Sequence, residues 1–274
     1  MLTIAQLFDK SGSLPAMPEV ARRLLASFNE EDADLRPIIS GLRSDPALAA
    51  KVLRLANSAR YGLTRRIESV DSAVALLGVD ALRTLVVSAC LVNAFPRIPH
   101  LDRVSFWEHS LANGGYARWL AKPLGYEREV AYLAGFTVRI GQLLMAQAAP
   151  TDIAAVEKRL STPGERWARE FELTGITHAA ATAELASRWG FPERLVSAFA
   201  SATAPLESRP FSVLAAIVCL STHLADAGEF DVPFDDIIAS LPAGLCEHLR
   251  LDLADWSAEL PTYDALADVA ASLG

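Results

Sequence analysis

Apolar side chains recur at helical spacing along almost the whole chain. Residues 20–28 and 48–55 each carry leucine, valine or phenylalanine every three or four positions, which places these side chains on one face of a helix. The joints between such segments are short and contain proline, glycine or a capping residue such as Asp45, Ser69 or Thr177. Alternating strand patterns are almost absent. The sequence therefore predicts an all-α fold, a compact protein of many helices.

The most apolar segment comprises residues 130–149, VAYLAGFTVRIGQLLMAQAA. As one continuous helix it would extend roughly 30 Å, the width of a small domain. A helix that is apolar on nearly every side is buried by several neighbours. Thr137, Arg139 and Gln142 interrupt this pattern, and a buried arginine needs a partner or a use. We therefore expect a central helix in which Arg139 has a specific role.

The segment PRIPHLD, residues 96–102, is the best candidate for a boundary inside the chain, because its prolines end the preceding helix. We expect an N-terminal helical subdomain of approximately residues 1–96 and a second one of residues 100–225. Acidic helices in residues 226–274 should pack on the second subdomain.

Composition limits the class of protein. The 274 residues are 51% hydrophobic and carry a formal net charge of -8, with no basic-then-apolar signal pattern and no uncharged apolar run of membrane-spanning length. Cys90, Cys219 and Cys246 are widely spaced among apolar residues, as expected of reduced thiols. These features predict a soluble cytoplasmic protein without membrane contacts.

The charge is distributed unevenly. Residues 224–274 contain eleven acidic residues and one arginine, a net charge of -10. Residues 36–66 contain seven basic residues against one acid, a net charge of +6; the basic residues are Arg36, Arg43, Lys51, Arg54, Arg60, Arg65 and Arg66. Both charged segments can be interpreted as solvated faces. The basic segment can alternatively be a docking surface for an acidic partner or a phosphate-bearing ligand. The overall acidity argues against general affinity for nucleic acid.

Three segments in fixed order carry a family resemblance: LPAMPEVARRLL from Leu14, SDPALAAKVLRLANSARYG from Ser44, and IESVDSAVALLGVDALRTLVVSACL from Ile67. Together with FWEHSLANGGYARWLAKPLG and VAYLAGFTVRIGQLL they resemble the HDOD family, bacterial signalling modules related to the HD phosphohydrolases. The resemblance covers roughly residues 14–225 and implies an all-α HD-like domain.

Residues within the second of these segments, and the arginines near it, are the possible interaction or family-signature positions: Asp45, Pro46, Arg54, Asn57, Ser58, Arg60, Arg65 and Arg66. Asp45 and Pro46 suit a helix start, and Asn57 with Ser58 suits a helix end. We favour capping and turn formation for Asp45, Asn57 and Ser58, with direct contact to a partner as the alternative.

The resemblance also indicates where a metal site would lie. HD enzymes hold a divalent metal with a histidine, an adjacent His-Asp pair in a motif like LLHDIGKL, and a later aspartate. Here that motif reads FTVRIGQL. The match places Val138 at the histidine, Arg139 at the aspartate and Gln142 at the lysine.

The other metal-site positions of the family match in the same way. His109 falls at the first histidine and His178 at a later one of the two-metal relatives. The final aspartate falls at Thr222 or, with a shifted alignment, at Asp226.

Valine has no lone pair and arginine is always protonated, so neither can bind a metal. We therefore expect no metal, no cofactor and no catalytic residue, with His109 and His178 as hydrogen-bonded core residues. Arg139 is interpreted as a replacement for the lost cation, paired with an acid such as Glu108 or Glu184. Alternatively, it anchors a pocket for a small anion or nucleotide.

The leading interpretation is a non-catalytic regulatory module of a bacterial cytosol, which acts by protein–protein interaction. The resemblance implies protein partners in signal transduction, such as a kinase, a response regulator or a cyclic-dinucleotide enzyme acting in trans. Two alternatives remain open. One is a phosphohydrolase or phosphodiesterase with a rearranged metal site, and the other is a nucleotide- or nucleic-acid-binding regulator that uses the basic residues 36–66.

Overall fold

The computed structural model describes residues 1–10, 15–29, 36–58, 61, 65–95, 98–99, 101–158, 160–254 and 256–270. These residues form helices and connecting turns with no β-strand among them, so the predicted all-α fold is confirmed. The candidate residue Arg60 lies outside the described residues.

The first six helices form the N-terminal part of the fold. They are Ile4–Lys10 (α1), Glu19–Ala26 (α2), Arg36–Arg43 (α3), Pro46–Ala56 (α4), Val70–Leu77 (α5) and Val79–Ala94 (α6). Asp45 caps α4 by accepting hydrogen bonds from the amides of Ala47 and Leu48, and Pro46 occupies the first helical position, where no amide is required. Helix α6 packs against α2, α4 and α5 on one side and against α8 on the other, which joins this part to the rest.

The remaining helices follow in short succession. They are Arg103–Ala121 (α7), Arg128–Thr137 (α8), Gly141–Ala148 (α9), Pro150–Glu157 (α10), Glu165–Thr174 (α11), His178–Arg188 (α12), Glu193–Ser201 (α13), Val213–Glu229 (α14), Phe234–Ser240 (α15), Ala243–Leu249 (α16), Trp256–Glu259 (α17) and Tyr263–Ala267 (α18). Helices α7, α8 and α14 pack on one another at the centre of the molecule. Helix α18, near the end of the acidic region, packs against α7 and α14.

Aromatic rings fill the centre. Trp107 and Phe136 are fully buried and stack with ring centroids 5.6 Å apart, and Tyr132 stacks on Phe136 at 5.9 Å. Offset or stacked aromatic pairs at this distance stabilise a core beyond the area that they bury. These rings fix the inner face of α8 against α7.

The predicted continuous helix over residues 130–149 is wrong in one respect. A 3₁₀ turn, Val138–Ile140, separates α8 from α9. The hydroxyl of Thr182 on α12 donates to the carbonyl of Val138 and accepts from the amide of Gly141, both at 2.7 Å. An intruding side chain of this kind replaces main-chain hydrogen bonds and tightens or kinks a helix. The turn carries Arg139 to the inside of the molecule.

Substitution of Gly141 tests this packing. A Cβ atom there would lie 2.3 Å from the carbonyl oxygen of His178 and 2.7 Å from the amide nitrogen of Thr182, and backbone atoms cannot move aside cheaply. Gly141→Ala should therefore lower the unfolding free energy by about 1–3 kcal/mol or more in urea denaturation.

The matched control is Gly41→Ala in α3, where a Cβ atom meets nothing within 4 Å. It should raise the unfolding free energy by roughly 0.5–1 kcal/mol, because alanine is the better helix former. Equal effects of the two substitutions would contradict the close approach of α9 and α12.

Candidate functional site

A cluster of charged side chains lies between α7, α14 and the 3₁₀ turn. His109 on α7 places its Nε2 atom 2.7 Å from Asp226 Oδ1 and 3.9 Å from Glu229 Oε2, both on α14. Arg139 Nη1 donates to Glu229 Oε2 at 3.2 Å, and Arg139 Nε donates to Gln142 Oε1 at 2.6 Å. His109, Arg139 and Asp226 are each at most 3% exposed. The structure thus brings together three of the predicted positions, His109, Arg139 and Gln142.

The hydrogen bonds continue from Gln142 toward the surface. Its Nε2 donates to Glu157 Oε1 on α10 at 2.5 Å, and Arg166 on α11 donates to both oxygens of the same carboxylate, at 2.5 and 3.1 Å. Arg166 is itself 3% exposed. A bidentate arginine–carboxylate pair is among the stronger polar contacts in proteins. A chain of hydrogen bonds therefore links four elements around Arg139.

His178 belongs to a separate cluster on α11 and α12. Trp167 Nε1 donates to its Nε2 at 2.9 Å, and its Nδ1 lies 2.9 Å from both oxygens of Glu170. Because an indole N–H can only donate, Nε2 accepts and the proton resides on Nδ1. The Nε2 lone pair of His178 therefore accepts the hydrogen bond from Trp167, and neither ring nitrogen is available to bind a metal.

Thr222 and Val138 take structural roles. Thr222 lies one turn before Asp226 on α14, and its hydroxyl accepts a hydrogen bond from Asn113 at 3.0 Å. Asp226, the position that the shifted alignment gives for the final aspartate, contacts His109, and Thr222 contacts Asn113 instead. The Val138 side chain is fully buried in the core.

The predicted partners of Arg139, Glu108 and Glu184, are wrong. Glu184 pairs with Arg188 at 2.8 Å on its own helix, and the carboxylate at Arg139 belongs to Glu229. Glu229 was not predicted from the sequence, although its spacing from Asp226 could have indicated it. Asp226 and Glu229 are three residues apart on a helix, which places both carboxylates on one face.

Burial and charge set the protonation of this cluster. Burial, followed by the charge of Arg139, lowers the pKa of His109, so this histidine is neutral and donates its Nε2 proton to Asp226. Burial alone would raise the pKa of Asp226, but the His109 hydrogen bond, Arg166 and the Gly164 amide lower it to about 2. Burial opposes ionisation of Glu229 too, yet Arg139 keeps its pKa below the usual value. Two carboxylates and one guanidinium therefore face each other across a neutral imidazole.

His109, Asp226 and Glu229 could in principle hold a metal, because one ligand atom from each lies within 4.8 Å of the others. The fit is poor. A divalent cation on Glu229 Oε2 would stand about 5 Å from the guanidinium of Arg139, and at an effective dielectric of about 20 the repulsion would be about 7 kcal/mol. In addition, Asp226 already accepts from His109 and, at 2.9 Å, from the Gly164 amide. The positive charge next to Glu229 in this structure is the guanidinium of Arg139.

A second feature of the surface is a groove lined by Arg54, Arg65 and Arg66, which we call the basic groove. It has a volume of about 1020 Å³ and also borders Asn57 and Ser58. Arg65 and Arg66 are exposed, whereas the side chain of Asn57 binds the amide and carbonyl of Ile67 at 2.7 and 2.8 Å. Ser58 is buried and donates to the Leu55 carbonyl. The groove therefore brings together three of the four predicted arginines, Arg54, Arg65 and Arg66, and the helix-end residues Asn57 and Ser58 also line it.

A sequence model of the HDOD domain matches residues 14–205, well over half of the chain. The chain belongs to the HDOD family. The resemblance inferred from the sequence motifs is thereby confirmed.

Several solved structures share this fold. A "putative phosphohydrolase" from Shewanella amazonensis SB2B is 30% identical, with 98% of each chain covered and a TM-score of 0.80. An HDOD domain protein of unknown function from Geobacter sulfurreducens, 20% identical, covers 99% of this chain and 98% of its own with a TM-score of 0.75, which shows the shared fold. A "putative signal transduction protein" from Marinobacter aquaeolei VT8 is 26% identical over 97% of this chain and 59% of its own, with a TM-score of 0.72.

An uncharacterized protein of Treponema pallidum (strain Nichols) is 25% identical to this HDOD chain over 248 residues, which are 86% of the chain. The chain spans about half the length of this curated relative, 47%.

Among the described residues of the HDOD chain, no helix combines the length and the apolar character needed to cross a bilayer.

The lowered pKa of His109 predicts a pH dependence of stability. In the unfolded chain this histidine has its ordinary pKa near 6.5 and binds a proton more readily than in the folded state, so stability is present above that pH and is lost as the pH falls. The unfolding free energy should decrease between about pH 7 and 5, by at most about 1.4 kcal/mol per pH unit for this group.

Urea denaturation at several pH values, with His109→Gln as the matched variant, measures this contribution. Glutamine can still donate to Asp226 but cannot titrate, so the curve of the variant should be flatter over the same range. Identical slopes for the two proteins would show that His109 is not held neutral.

Proposed function

We propose that this HDOD protein is a non-catalytic regulatory module of bacterial signal transduction that acts through contacts with other proteins. The observation that carries the proposal is the position of Arg139. Its guanidinium lies beside Glu229 and His109, where the HD enzymes hold their metal, and hydrogen bonds fix it on both sides. A hydrolytic site requires an electrophilic metal with an open position for water, and a fixed arginine supplies neither.

The basic groove supports the second half of the proposal. It presents the exposed Arg65 and Arg66 beside apolar side chains of α4 such as Leu53. Arginine next to apolar surface is typical of protein interfaces, and positive charge steers acidic partners toward it. The partners we propose are proteins of a signalling pathway, for example a kinase, a response regulator or a cyclic-dinucleotide enzyme.

Charge reversal tests the groove. Arg65→Glu combined with Arg66→Glu should lower the affinity for partners recovered from the native cell by at least about tenfold. For the unaltered protein, the same affinity should fall as the salt concentration rises. The measurement immobilises the unaltered and the variant chains and quantifies the binding of each captured partner.

The matched control is Lys10→Glu combined with Arg23→Glu, which makes the same change of charge at exposed residues outside the groove. Equal losses in the two double variants would point to overall charge and refute the groove as the docking surface. Recovery of nucleic acid in place of protein would support the nucleic-acid alternative.

A metal-dependent phosphohydrolase is the second candidate, and the grouping of His109, Asp226 and Glu229 favours it. Metal content of the purified protein and hydrolysis of bis(p-nitrophenyl) phosphate with added Mn²⁺ decide between the two functions. We expect neither a stoichiometric ion nor metal-dependent turnover. One tightly held ion per chain together with turnover would refute the non-catalytic proposal.

The double substitution Val138→His and Arg139→Asp is the informative variant. It removes the guanidinium and restores the two missing ligands, so Mn²⁺ should raise its thermal midpoint by on the order of 5 °C, with little effect on the unaltered protein. A similar shift in both proteins would mean that Arg139 does not exclude the metal.

A further inference from the structure

A small cavity opens beside Arg139, between the start of α7 and helices α9 and α10. It has a volume of about 220 Å³ and is separate from the basic groove. Ligand sites for drug-sized molecules usually measure about 300–1,000 Å³, so this cavity suits a smaller molecule. We call it the α9–α10 cavity.

The inner wall of the cavity is polar and carries unused hydrogen-bonding capacity. Arg139 is 3% exposed, and within the described residues its Nε and Nη1 have hydrogen-bond partners while Nη2 has none. Nη2 is therefore open to the cavity and able to donate to an acceptor there. Gln142 bridges Arg139 to Glu157, so the wall runs from a cation through an amide to a carboxylate.

The mouth of the cavity is acidic. Glu157 and Asp102 both line it and are exposed. Among the described residues, Asp102 uses only Oδ1 to cap α7, and Glu157 Oε2 accepts a single hydrogen bond, from Arg166. A phosphate or nucleotide would meet these carboxylates at the entrance, and like charges repel. A cationic or donor group suits the mouth, and an acceptor suits the inner end.

The rest of the wall is apolar. Leu101, Phe106, Ala146 and Ile153 face the cavity between its polar groups. Burial of a hydrocarbon side chain there would add affinity that polar contacts alone do not supply.

We propose that the α9–α10 cavity binds a small zwitterion of the α-amino-acid class with an apolar side chain. The carboxylate accepts from Arg139 Nη2, the ammonium donates to Glu157 and Asp102, and the side chain packs against Phe106 and Ile153. The inference goes beyond the proposed function, since it stands whether or not the protein binds others through the basic groove. A ligand bound in the cavity would contact the chain of hydrogen bonds around Arg139 directly.

Titration calorimetry of the full chain with L-leucine and L-methionine tests the proposal. We expect saturable binding in the ~micromolar to millimolar range, as small ligands of this size allow. 4-Methylpentanoate lacks the ammonium and 3-methylbutylamine lacks the carboxylate, and each should bind at least about tenfold more weakly because one charged hydrogen bond is lost. Inorganic phosphate should not bind at the cavity.

Three variants locate the binding. Ala154→Leu fills the cavity from α10, keeps Arg139 in the chain, and should abolish binding of leucine. Ala155→Leu adds the same bulk at a residue that does not line the cavity, and this variant should bind leucine as the unaltered chain does. Asp102→Asn keeps a good helix cap but removes a negative charge at the mouth of the cavity. It should therefore weaken the binding of leucine more than the binding of 4-methylpentanoate. Thermal unfolding confirms that each variant is folded.

The proposal is overturned if neither amino acid binds at about 10 mM, a concentration that would detect even millimolar affinity. Equal binding to the Ala154→Leu and unaltered chains would place the ligand elsewhere and overturn it too. Tighter binding of phosphate or 4-methylpentanoate than of leucine would make the cavity an anion site.

Discussion

A buried guanidinium holds the centre of this molecule together. Arg139 projects from the 3₁₀ turn between α8 and α9, and Glu229 on α14 and Gln142 on α9 fix it from two sides. An arginine at 3% exposure is tolerated only because a carboxylate balances its charge. Removal of Glu229 would leave the buried charge of Arg139 uncompensated, a loss of about 3–5 kcal/mol in comparable pairs. The relative positions of α9 and α14 depend on this pair.

In the proposed non-catalytic function, the same arginine takes the place of the metal that HD enzymes hold. A divalent cation would normally hold carboxylates and a histidine from different helices in place. Here Asp226 and Glu229 keep their charges because His109, Arg166 and Arg139 lower their pKa values against the cost of burial. The proposed regulatory role follows from the proposed replacement of the metal by Arg139, since a fixed guanidinium preserves the architecture but offers no site to activate water. Contact surfaces such as the basic groove can then carry the function.

The helical fold and the burial of Arg139 in an apolar segment could be predicted from the sequence, because both depend on local patterns. Apolar spacing and caps such as Asp45 depend on residues of a single helix. The presence of Val138 and Arg139, where the HD motif has a His-Asp pair, is visible within a single short motif. The partner of Arg139 was missed because Glu229 lies 90 residues away along the chain. The break in the central helix was missed for the same reason, since a hydroxyl on α12 causes it.

Crystals of the protein soaked in Mn²⁺ and measured by anomalous scattering test the central claim most directly. If Arg139 occupies the metal position, no anomalous peak should appear within bonding distance of His109 Nε2, and the contact between Arg139 and Glu229 should be intact. A strong peak coordinated by His109, Asp226 and Glu229, with Arg139 displaced from Glu229, would contradict the account.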